Sequence, residues 1–285
     1  MDAGTRWGRP WVGTAGFSYP EWAGPFYPKR LPEAEWLKYY AGRLNAVEFD
    51  VTFYRLPPAK LFANWASETP DDFRFCLKGS RYITHTSRLV DVGDQVARFF
   101  EHAAALGERL ACVLWQLPPD LEADPDRLRS FLGLLGEFET ALSARHVFEF
   151  RHHSWFSDPV YDILQRAGAA IALTNAPLHV LGPDMKPWRM ERLPLRVPHT
   201  ADFIYLRRQG WPERTTDHEE EYTSRMFADD ADWVSDRLAE GKDAFVIYKK
   251  EVSSKGRETG VYGLRNAEHM LAFLMSVERR AVGGG

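Results

Sequence analysis

The chain has 285 residues, of which 45% are hydrophobic and 27% are charged, so it can form one large α/β barrel or two modest domains. Its formal net charge of −4 excludes a positive field over the whole molecule that would steer it onto nucleic acid. No stretch reaches the roughly 18 consecutive apolar residues of a membrane span, and residues 1–13 lack the apolar region of a signal peptide. We therefore expect a cytoplasmic protein with no membrane partner.

Short apolar runs, most of them rich in β-branched or aromatic residues, have the length and composition of buried strands. In chain order they are 11–16, 45–54, 73–78, 110–118, 146–151, 169–175, 202–208 and 244–250. The chain has two cysteines, Cys76 and Cys112, and each lies inside one of these runs. This placement predicts two buried, reduced thiols and no disulfide.

Between the runs lie segments whose apolar residues recur with the 3.6-residue period of an amphipathic helix. These stripes fall at 36–44, 92–103, 128–138, 160–167, 233–238 and 267–274. Eight strands that alternate with helices predict a parallel sheet, and the chain length predicts a single TIM-like (β/α)₈ barrel over residues 1–285. We expect the Pro-rich connection 176–201, between strands six and seven, to be a long irregular loop, and the tail 280–285 to be frayed.

Polar residues recur near the ends of five of the predicted strands. In a (β/α)₈ barrel the active site lies at the carboxyl ends of the strands, and alternate side chains of each strand point to the interior. This alternation predicts inward-facing polar groups, namely Glu48, Lys78, Gln116, Glu149, Arg151 and Arg207. Because buried charges need partners, the group could be an ion-pair layer that only fills the barrel. Its position at the catalytic end favours a functional site.

Several of these residues have the chemistry of a catalytic or ligand-binding group. Carboxylates and imidazoles transfer protons, and the candidates for this role are Glu48, Glu149, His85 and His152. Guanidinium, ammonium and amide groups hold anions, and the candidates for that role are Lys78, Arg81, Gln116, Arg151 and Arg207. Trp22 and Trp155 are candidates for the walls of a pocket.

At these residues the chain resembles the DUF72 family, also called YecE-like proteins. The stretches that carry the resemblance are "VGTAGFSYPEWAGPFYP", "NAVEFDVTFYRLP", "FRFCLKGSRYITHTSRL", "WQLPP", "FEFRHHSW", "TADFIYLRRQG" and "GVYGLRNAEHML". They cover nearly the whole chain in the family's order. The resemblance implies a TIM-like barrel and implies little about activity, because the function of the family is largely undefined.

The positions that match the family's motifs are Glu48, Tyr54, Lys78, Thr84, His85, Gln116, Glu149, Arg151, Trp155, Arg207, Gly210 and Asn266. The resemblance thereby adds Tyr54 to the ligand-binding candidates. Two strand ends depart from the family pattern: Arg208-Gln209-Gly210 replaces Leu-His-Gly, and Lys249-Lys250-Glu251 replaces an Asn-Asn-Asp-like end. These departures remove a histidine and an aspartate that could transfer a proton or bind a ligand, and they add the positive charges of arginine and lysine.

The excess of cations at the strand ends favours a small anionic ligand, phosphorylated or carboxylated. The activity that suits it is that of a metal-independent hydrolase or lyase, and the alternative is a non-catalytic binding or interaction protein. A glycosidase needs two neighbouring carboxylates, whereas strands two and five lie far apart in an eight-stranded ring. A metal-dependent phosphoesterase or nuclease is a further alternative, although no HExxH, CxxC or EF-hand pattern occurs.

Other binding partners are less well supported by the sequence. The chain has no P-loop and no dinucleotide-binding fingerprint, so we expect no nucleotide cofactor, and we predict no metal. Binding to nucleic acid is not favoured because the net charge is acidic. The sequence leaves the oligomeric state open.

Overall fold

The structure is a computed structural model that describes residues 6–139, 144–175, 178–181, 187–191, 197–208, 224–249 and 261–282. The strands are β1 (Pro10–Ala15), β2 (Ala46–Phe49), β3 (Arg74–Lys78), β4 (Leu110–Gln116), β5 (Arg145–Glu149), β6 (Ala170–Thr174), β7 (Leu178–Leu181), β8 (Pro187–Glu191), β9 (Phe203–Arg208) and β10 (Asp243–Tyr248). The α-helices are α1 (Trp36–Ala41), α2 (Val51–Tyr54), α3 (Ala59–Ser67), α4 (Gly93–Ala103), α5 (Pro125–Glu139), α6 (Asp158–Arg166), α7 (Ser224–Ala239) and α8 (Tyr262–Val282).

The predicted barrel is confirmed. Eight strands form a closed sheet in the order β1-β10-β9-β6-β5-β4-β3-β2, and each overlaps one of the eight predicted apolar runs. Helices alternate with the strands along the chain, so the fold class is that of a TIM-like (β/α)₈ barrel. The six predicted helical stripes correspond to α1, α4, α5, α6, α7 and α8.

The connection between the sixth and seventh barrel strands differs from the predicted irregular loop. It contains an antiparallel pair, β7 and β8, in which His179 lies opposite Met190. The prolines of this segment argued against strands, but Pro187 is the first residue of β8, a position where a strand tolerates a missing N–H. At the other end of the chain, α8 continues to Val282, and the rest of the predicted tail lies outside the described residues.

The helices α2 and α3 were not predicted. The apolar run 45–54 suggested one strand, but β2 ends at Phe49 and α2 begins two residues later. The reason is Thr52, whose hydroxyl lies 2.6 Å from the carbonyl oxygen of Lys78 and so anchors a turn to the end of β3. Thr52 is fully buried, and this tertiary contact overrides the local preference of the run for extended backbone.

The backbone divides into two compact units. The first comprises residues 1–47 and 203–285. Inside it, Asn45 links its own segment to β1, because its amide donates to Pro10 O at 2.8 Å and accepts from Val12 N at 2.7 Å. The Tyr40 hydroxyl accepts from Thr14 N at 2.8 Å, so the C-terminal part of α1 is also held to β1.

The second unit comprises residues 48–202 and has a closely packed aromatic core. The ring of Trp115 on β4 meets Phe131 of α5 edge-on at 5.0 Å. Gly79 follows β3 directly, and a Cβ there would lie 2.3 Å from the Trp115 ring, so only glycine fits. Cys76 and Cys112 lie side by side on β3 and β4, and both are fully buried thiols that form no disulfide, as predicted.

His146 on β5 gives the second unit a dependence on pH. Burial lowers the pKa of its imidazole to about 4, and its Nδ1 accepts a hydrogen bond from Trp115 Nε1 at 3.3 Å. Unfolding restores an ordinary pKa of 6.5, so between these values the unfolded chain binds a proton that the folded chain does not. The stabilisation is complete above pH 6.5 and falls by about 3 kcal/mol as the pH is lowered from there through the pKa of the folded state.

Urea unfolding between about pH 7.5 and 4 checks this expectation. His146→Gln is the matched variant, because glutamine keeps a hydrogen-bond acceptor near Trp115 but does not titrate. We expect the free energy of unfolding of the natural chain to fall, relative to that of the variant, as the pH is lowered. A difference that is constant over this range would show that His146 does not cause the dependence.

Candidate functional site

Three of the predicted site residues meet at the ends of β4 and β5 in the unit 48–202. Gln116 and Glu149 are the last residues of these strands and lie side by side in register. Gln116 Nε2 donates a hydrogen bond to Glu149 Oε1 at 2.7 Å, and Arg151 donates to the same oxygen at 3.2 Å. Glu149 is fully buried, whereas the Arg151 side chain is 20% exposed. The carboxylate therefore anchors a guanidinium group that solvent can reach.

Lys78 is the last residue of β3, and its side chain is only 8% exposed. Its ammonium lies 3.5 Å from Asp50 Oδ1 and 4.2 Å from the centroid of the Phe53 ring. An ion pair on one side and an aromatic face on the other both stabilise a partly desolvated ammonium group. The turn formed by α2 thus holds the ammonium group of Lys78 at the carboxyl end of β3.

His85 lies in a π-helical turn, Tyr82–Thr86, and its ring meets Phe53 edge-on at 5.0 Å. Its Nδ1 lies 2.8 Å from the hydroxyl oxygen of Thr84. Burial, and after it the positive charges of Lys78 and Arg81, lower the pKa of His85 to about 4. The imidazole is therefore neutral at pH 7 and lies in a positive local potential.

The segment that follows this turn contains strained backbone. Arg88, Leu89 and Asp91 have φ angles of 50°, 69° and 51°, in the left-handed region that favours glycine. Leu89 is also buried, and Arg88 forms an ion pair with Asp120 that fixes the strained segment. Such residues and π-helical turns concentrate at functional sites. Sequence reasoning missed this feature because arginine and leucine do not signal a positive φ.

Both tryptophans predicted as pocket walls are core residues. Trp155 is fully buried, stacks on Phe150 at 4.9 Å and donates from Nε1 to the Leu121 carbonyl at 2.7 Å. Trp22 belongs to the other unit and is 1% exposed. Tyr54, a ligand-binding candidate, is 77% exposed and so is not a core residue. We assign the two tryptophans to packing.

His152 was a candidate acid or base, and the structure places it in a local turn. It precedes the 3₁₀ turn His153–Trp155, and its Nδ1 accepts a hydrogen bond from Ser154 N at 3.3 Å. Burial and, after it, the neighbouring His153 lower the pKa of His152. The ring caps this turn, so we do not include it in the site.

The remaining candidates differ in burial. Glu48 is fully buried within β2 in the unit 48–202, and Arg207 is fully buried within β9 in the other unit. Arg81 is exposed just before the π-helical turn. Arg208, the first departure from the family pattern, is paired with Asp230 of α7 at 2.6 Å, so its charge has a structural partner. The departures at 209 and 250–251, and the matching Gly210, lie outside the described residues.

The described residues contain neither a candidate metal cluster nor a candidate membrane helix. In these parts of the chain, no group of three or more His, Cys, Asp or Glu side chains is arranged to hold a metal ion. None of the helices described has the length and apolar character needed to cross a bilayer.

Comparisons with known proteins agree on one family. The family described as "Protein of unknown function DUF72" matches residues 11–275. The UPF0759 protein YecE of Escherichia coli strain K12 is 28% identical over 216 residues, which is 73% of this chain and 77% of YecE. The UPF0759 protein YunF of Bacillus subtilis is 30% identical over 145 residues, which is 48% of this chain and 49% of YunF.

A solved structure supports the same assignment. The crystal structure of a DUF72 family protein from Thermotoga maritima is 25% identical in sequence and superposes with a TM-score of 0.72. The superposition covers 94% of this chain and 99% of that protein. Since the family match extends over residues 11–275 and the barrel agrees with it, this chain belongs to the DUF72 family of proteins of unknown function.

Proposed function

We propose that the unit 48–202 binds a small anionic compound, phosphorylated or carboxylated, at the carboxyl ends of β3 to β5. The observation that carries this proposal is the arrangement around Glu149, whose buried Oε1 accepts from both Gln116 and Arg151. The guanidinium group is thereby held in place while part of it stays accessible to solvent. Such preorganisation reduces the entropic cost of ordering a side chain on binding.

Glu149 acts in this proposal as a positioning residue. Oε1 of Glu149 already accepts two hydrogen bonds, so this oxygen is committed to Gln116 and Arg151 and is not directed at a substrate proton. A carboxylate that is bonded to a cation and to an amide favours a binding role over proton transfer. The non-catalytic class is therefore our first choice.

Lys78 supplies the second cation. Its ammonium is held against Phe53 by Asp50, and its charge contributes to the positive potential around His85. Arg81 adds to the same potential. An anion placed there would gain from both cations.

A second candidate function is that of a metal-independent hydrolase or lyase. The observation that favours it is His85, whose imidazole is unprotonated at pH 7; a bound anion that offsets the charges of Lys78 and Arg81 would raise its pKa from about 4 towards the range of an effective general base. Turnover of an anionic substrate that is lost in His85→Gln, with binding retained, would select this function over simple binding.

Anion titrations test the proposed binding site. The informative variant is the double substitution Glu149→Gln/Arg151→Gln, which removes the buried pair without changing the net charge. It is expected to weaken the binding of inorganic phosphate about 10–150-fold, which corresponds to about 1.5–3 kcal/mol for hydrogen bonds to a charged group. Glu149→Gln alone is expected to bind at least as well as the natural chain, because Arg151 stays and a negative charge is removed.

The control for this experiment is Arg129→Gln. Arg129 lies on α5 with its side chain 62% exposed, so its removal tests the effect of losing a surface charge. It is expected to leave the dissociation constant unchanged. Equal affinity for phosphate in the double variant and the natural chain, or no phosphate binding by any of the four proteins, would reject the site.

His85 offers an independent spectroscopic readout of the same site. In the free protein its pKa is about 4 because of burial and the charges of Lys78 and Arg81. A bound anion offsets those charges, so saturating phosphate is expected to raise the pKa of His85 measured by NMR. The experiment compares the ring shifts of His85 and His146 as the pH is lowered, because burial alone lowers the pKa of His146. An identical His85 titration with and without phosphate would contradict anion binding beside this ring.

A further inference from the structure

A cavity of about 560 Å³ lies within the unit 48–202. The residues that line it are Arg55, Leu56, Pro58, Ser80, Gln95, Arg98, Phe99 and His102. None of them belongs to the site proposed above, and none is a carboxylate. The volume is within the range of about 300–1,000 Å³ that is typical of pockets for small molecules.

One face of α4 forms a wall of this cavity. Gln95, Arg98, Phe99 and His102 follow the spacing i, i+3, i+4, i+7, which aligns side chains along one side of a helix. The facing wall is the turn after α2. His102 Nδ1 lies 2.8 Å from the carbonyl oxygen of Pro57, and because a carbonyl can only accept, Nδ1 is the donor. This hydrogen bond ties α4 to the turn and keeps the two walls together.

The charge of the cavity is positive. Arg55 and Arg98 are both exposed residues, and in the described parts of the chain neither forms an ion pair. Two guanidinium groups and no carboxylate among the lining residues favour an anion, and guanidinium suits phosphate or carboxylate oxygens in particular.

The polar groups of the cavity indicate a second property of the ligand. Gln95 Oε1 is buried and has no hydrogen-bond partner within the described residues, and a buried acceptor in that state is costly. A ligand that carries a hydroxyl or an N–H group would satisfy it. Ser80 Oγ accepts from Tyr82 N at 3.2 Å, so its own proton can be directed at a bound anion. Leu56, Pro58 and Phe99 add an apolar surface for the body of the ligand.

We propose that this cavity binds a small organic anion that also carries a hydrogen-bond donor, such as the phosphate monoester of a polyol. Arg55 and Arg98 hold the phosphate, Ser80 donates to it, and Gln95 accepts from a hydroxyl group. The site stands on residues separate from Lys78 and Arg151, so it does not depend on the function proposed above.

Glycerol 3-phosphate is the probe, and the ring signals of His102 in histidine-labelled protein are the readout. A saturable change of these signals is expected, with a dissociation constant at least 3-fold below that of inorganic phosphate. Arg55→Gln and Arg98→Gln are each expected to weaken binding at least 10-fold with unchanged melting temperature, because both side chains are exposed. Gln95→Leu is expected to abolish the preference for glycerol 3-phosphate over inorganic phosphate.

Two controls separate this site from general charge effects and from the first site. Arg129→Gln removes an exposed arginine of α5, and Glu149→Gln/Arg151→Gln removes Arg151, one of the cations of the first site. Both are expected to leave the His102 response unchanged. The proposal is overturned if His102 shows no saturable response, if Arg129→Gln weakens binding as much as Arg98→Gln, or if the double variant loses the response.

Discussion

Replacing Arg151 by alanine is expected to lower the free energy of unfolding by about 3–5 kcal/mol at pH 7, the usual cost of removing one partner of a buried ion pair. The physical reason is Glu149, which is fully buried and would lose the cation that donates to its Oε1 at 3.2 Å. Gln116 would still donate to the carboxylate, but a neutral amide compensates a buried charge less well than a guanidinium group does.

The reverse substitution is expected to cost less. Glu149→Gln leaves Arg151 in place, and because that side chain is already 20% exposed, water can solvate its charge. The double variant Glu149→Gln/Arg151→Gln is expected to recover most of the stability lost in Arg151→Ala, since it removes the buried carboxylate together with its cation. A double-mutant cycle of chemical unfolding, completed with the single variant Arg151→Gln, measures the coupling between the two residues.

These variants also distinguish a purely structural ion-pair layer from a ligand-binding site. An ion-pair layer with no ligand predicts effects on stability alone, whereas the proposed site predicts that the stable double variant has lost phosphate binding. If Arg151→Ala and Glu149→Gln destabilise the chain equally, the difference in burial of the two side chains does not control the energetics.

The second large effect is expected at Trp155. Trp155→Ala is expected to lower the free energy of unfolding by about 3–5 kcal/mol, the usual cost of truncating a large buried aromatic side chain. The substitution removes a fully buried ring that stacks on Phe150, and it also removes the hydrogen bond from Nε1 to the Leu121 carbonyl. Thermal and urea unfolding measure the loss.

Trp155→Phe is the matched control. Phenylalanine keeps an aromatic ring against Phe150 but cannot donate to the Leu121 carbonyl, so it is expected to cost about 1–3 kcal/mol. If Trp155 only packs, this variant retains the phosphate affinity of the natural chain. A phenylalanine variant of natural stability and strongly reduced phosphate affinity would return Trp155 to the wall of the binding site.

Much of the barrel and part of its site follow from the sequence by itself. The apolar runs predict the eight barrel strands because a buried parallel strand needs a short, nearly continuous apolar segment, which is a local property. Alternation along a strand is equally local, so it predicts that Gln116 and Glu149 share a face, and register brings them together at 2.7 Å. The resemblance to the DUF72 family came from motifs spread over nearly the whole chain.

Other features depend on which distant residues fill the space around a side chain, and only the tertiary structure decided them. Trp155 and Trp22 have the sequence character of pocket walls and of core residues alike, and packing placed both in the core. Thr52 ends a strand early because it meets the end of β3. The positive φ of Leu89 has no sequence signal.

The cavity beside α4 was likewise predictable only in part from the sequence. The apolar stripe at 92–103 predicted the helix, because amphipathic periodicity is a property of the local sequence. The same order shows Gln95, Arg98 and His102 as an ordinary polar face. Only the turn at Arg55–Pro58, which approaches α4 through the His102 bond to Pro57, turns that face into a cavity with two arginines and a buried acceptor. Periodicity is local, whereas the partner of a polar face is set by contacts between residues more than 40 positions apart.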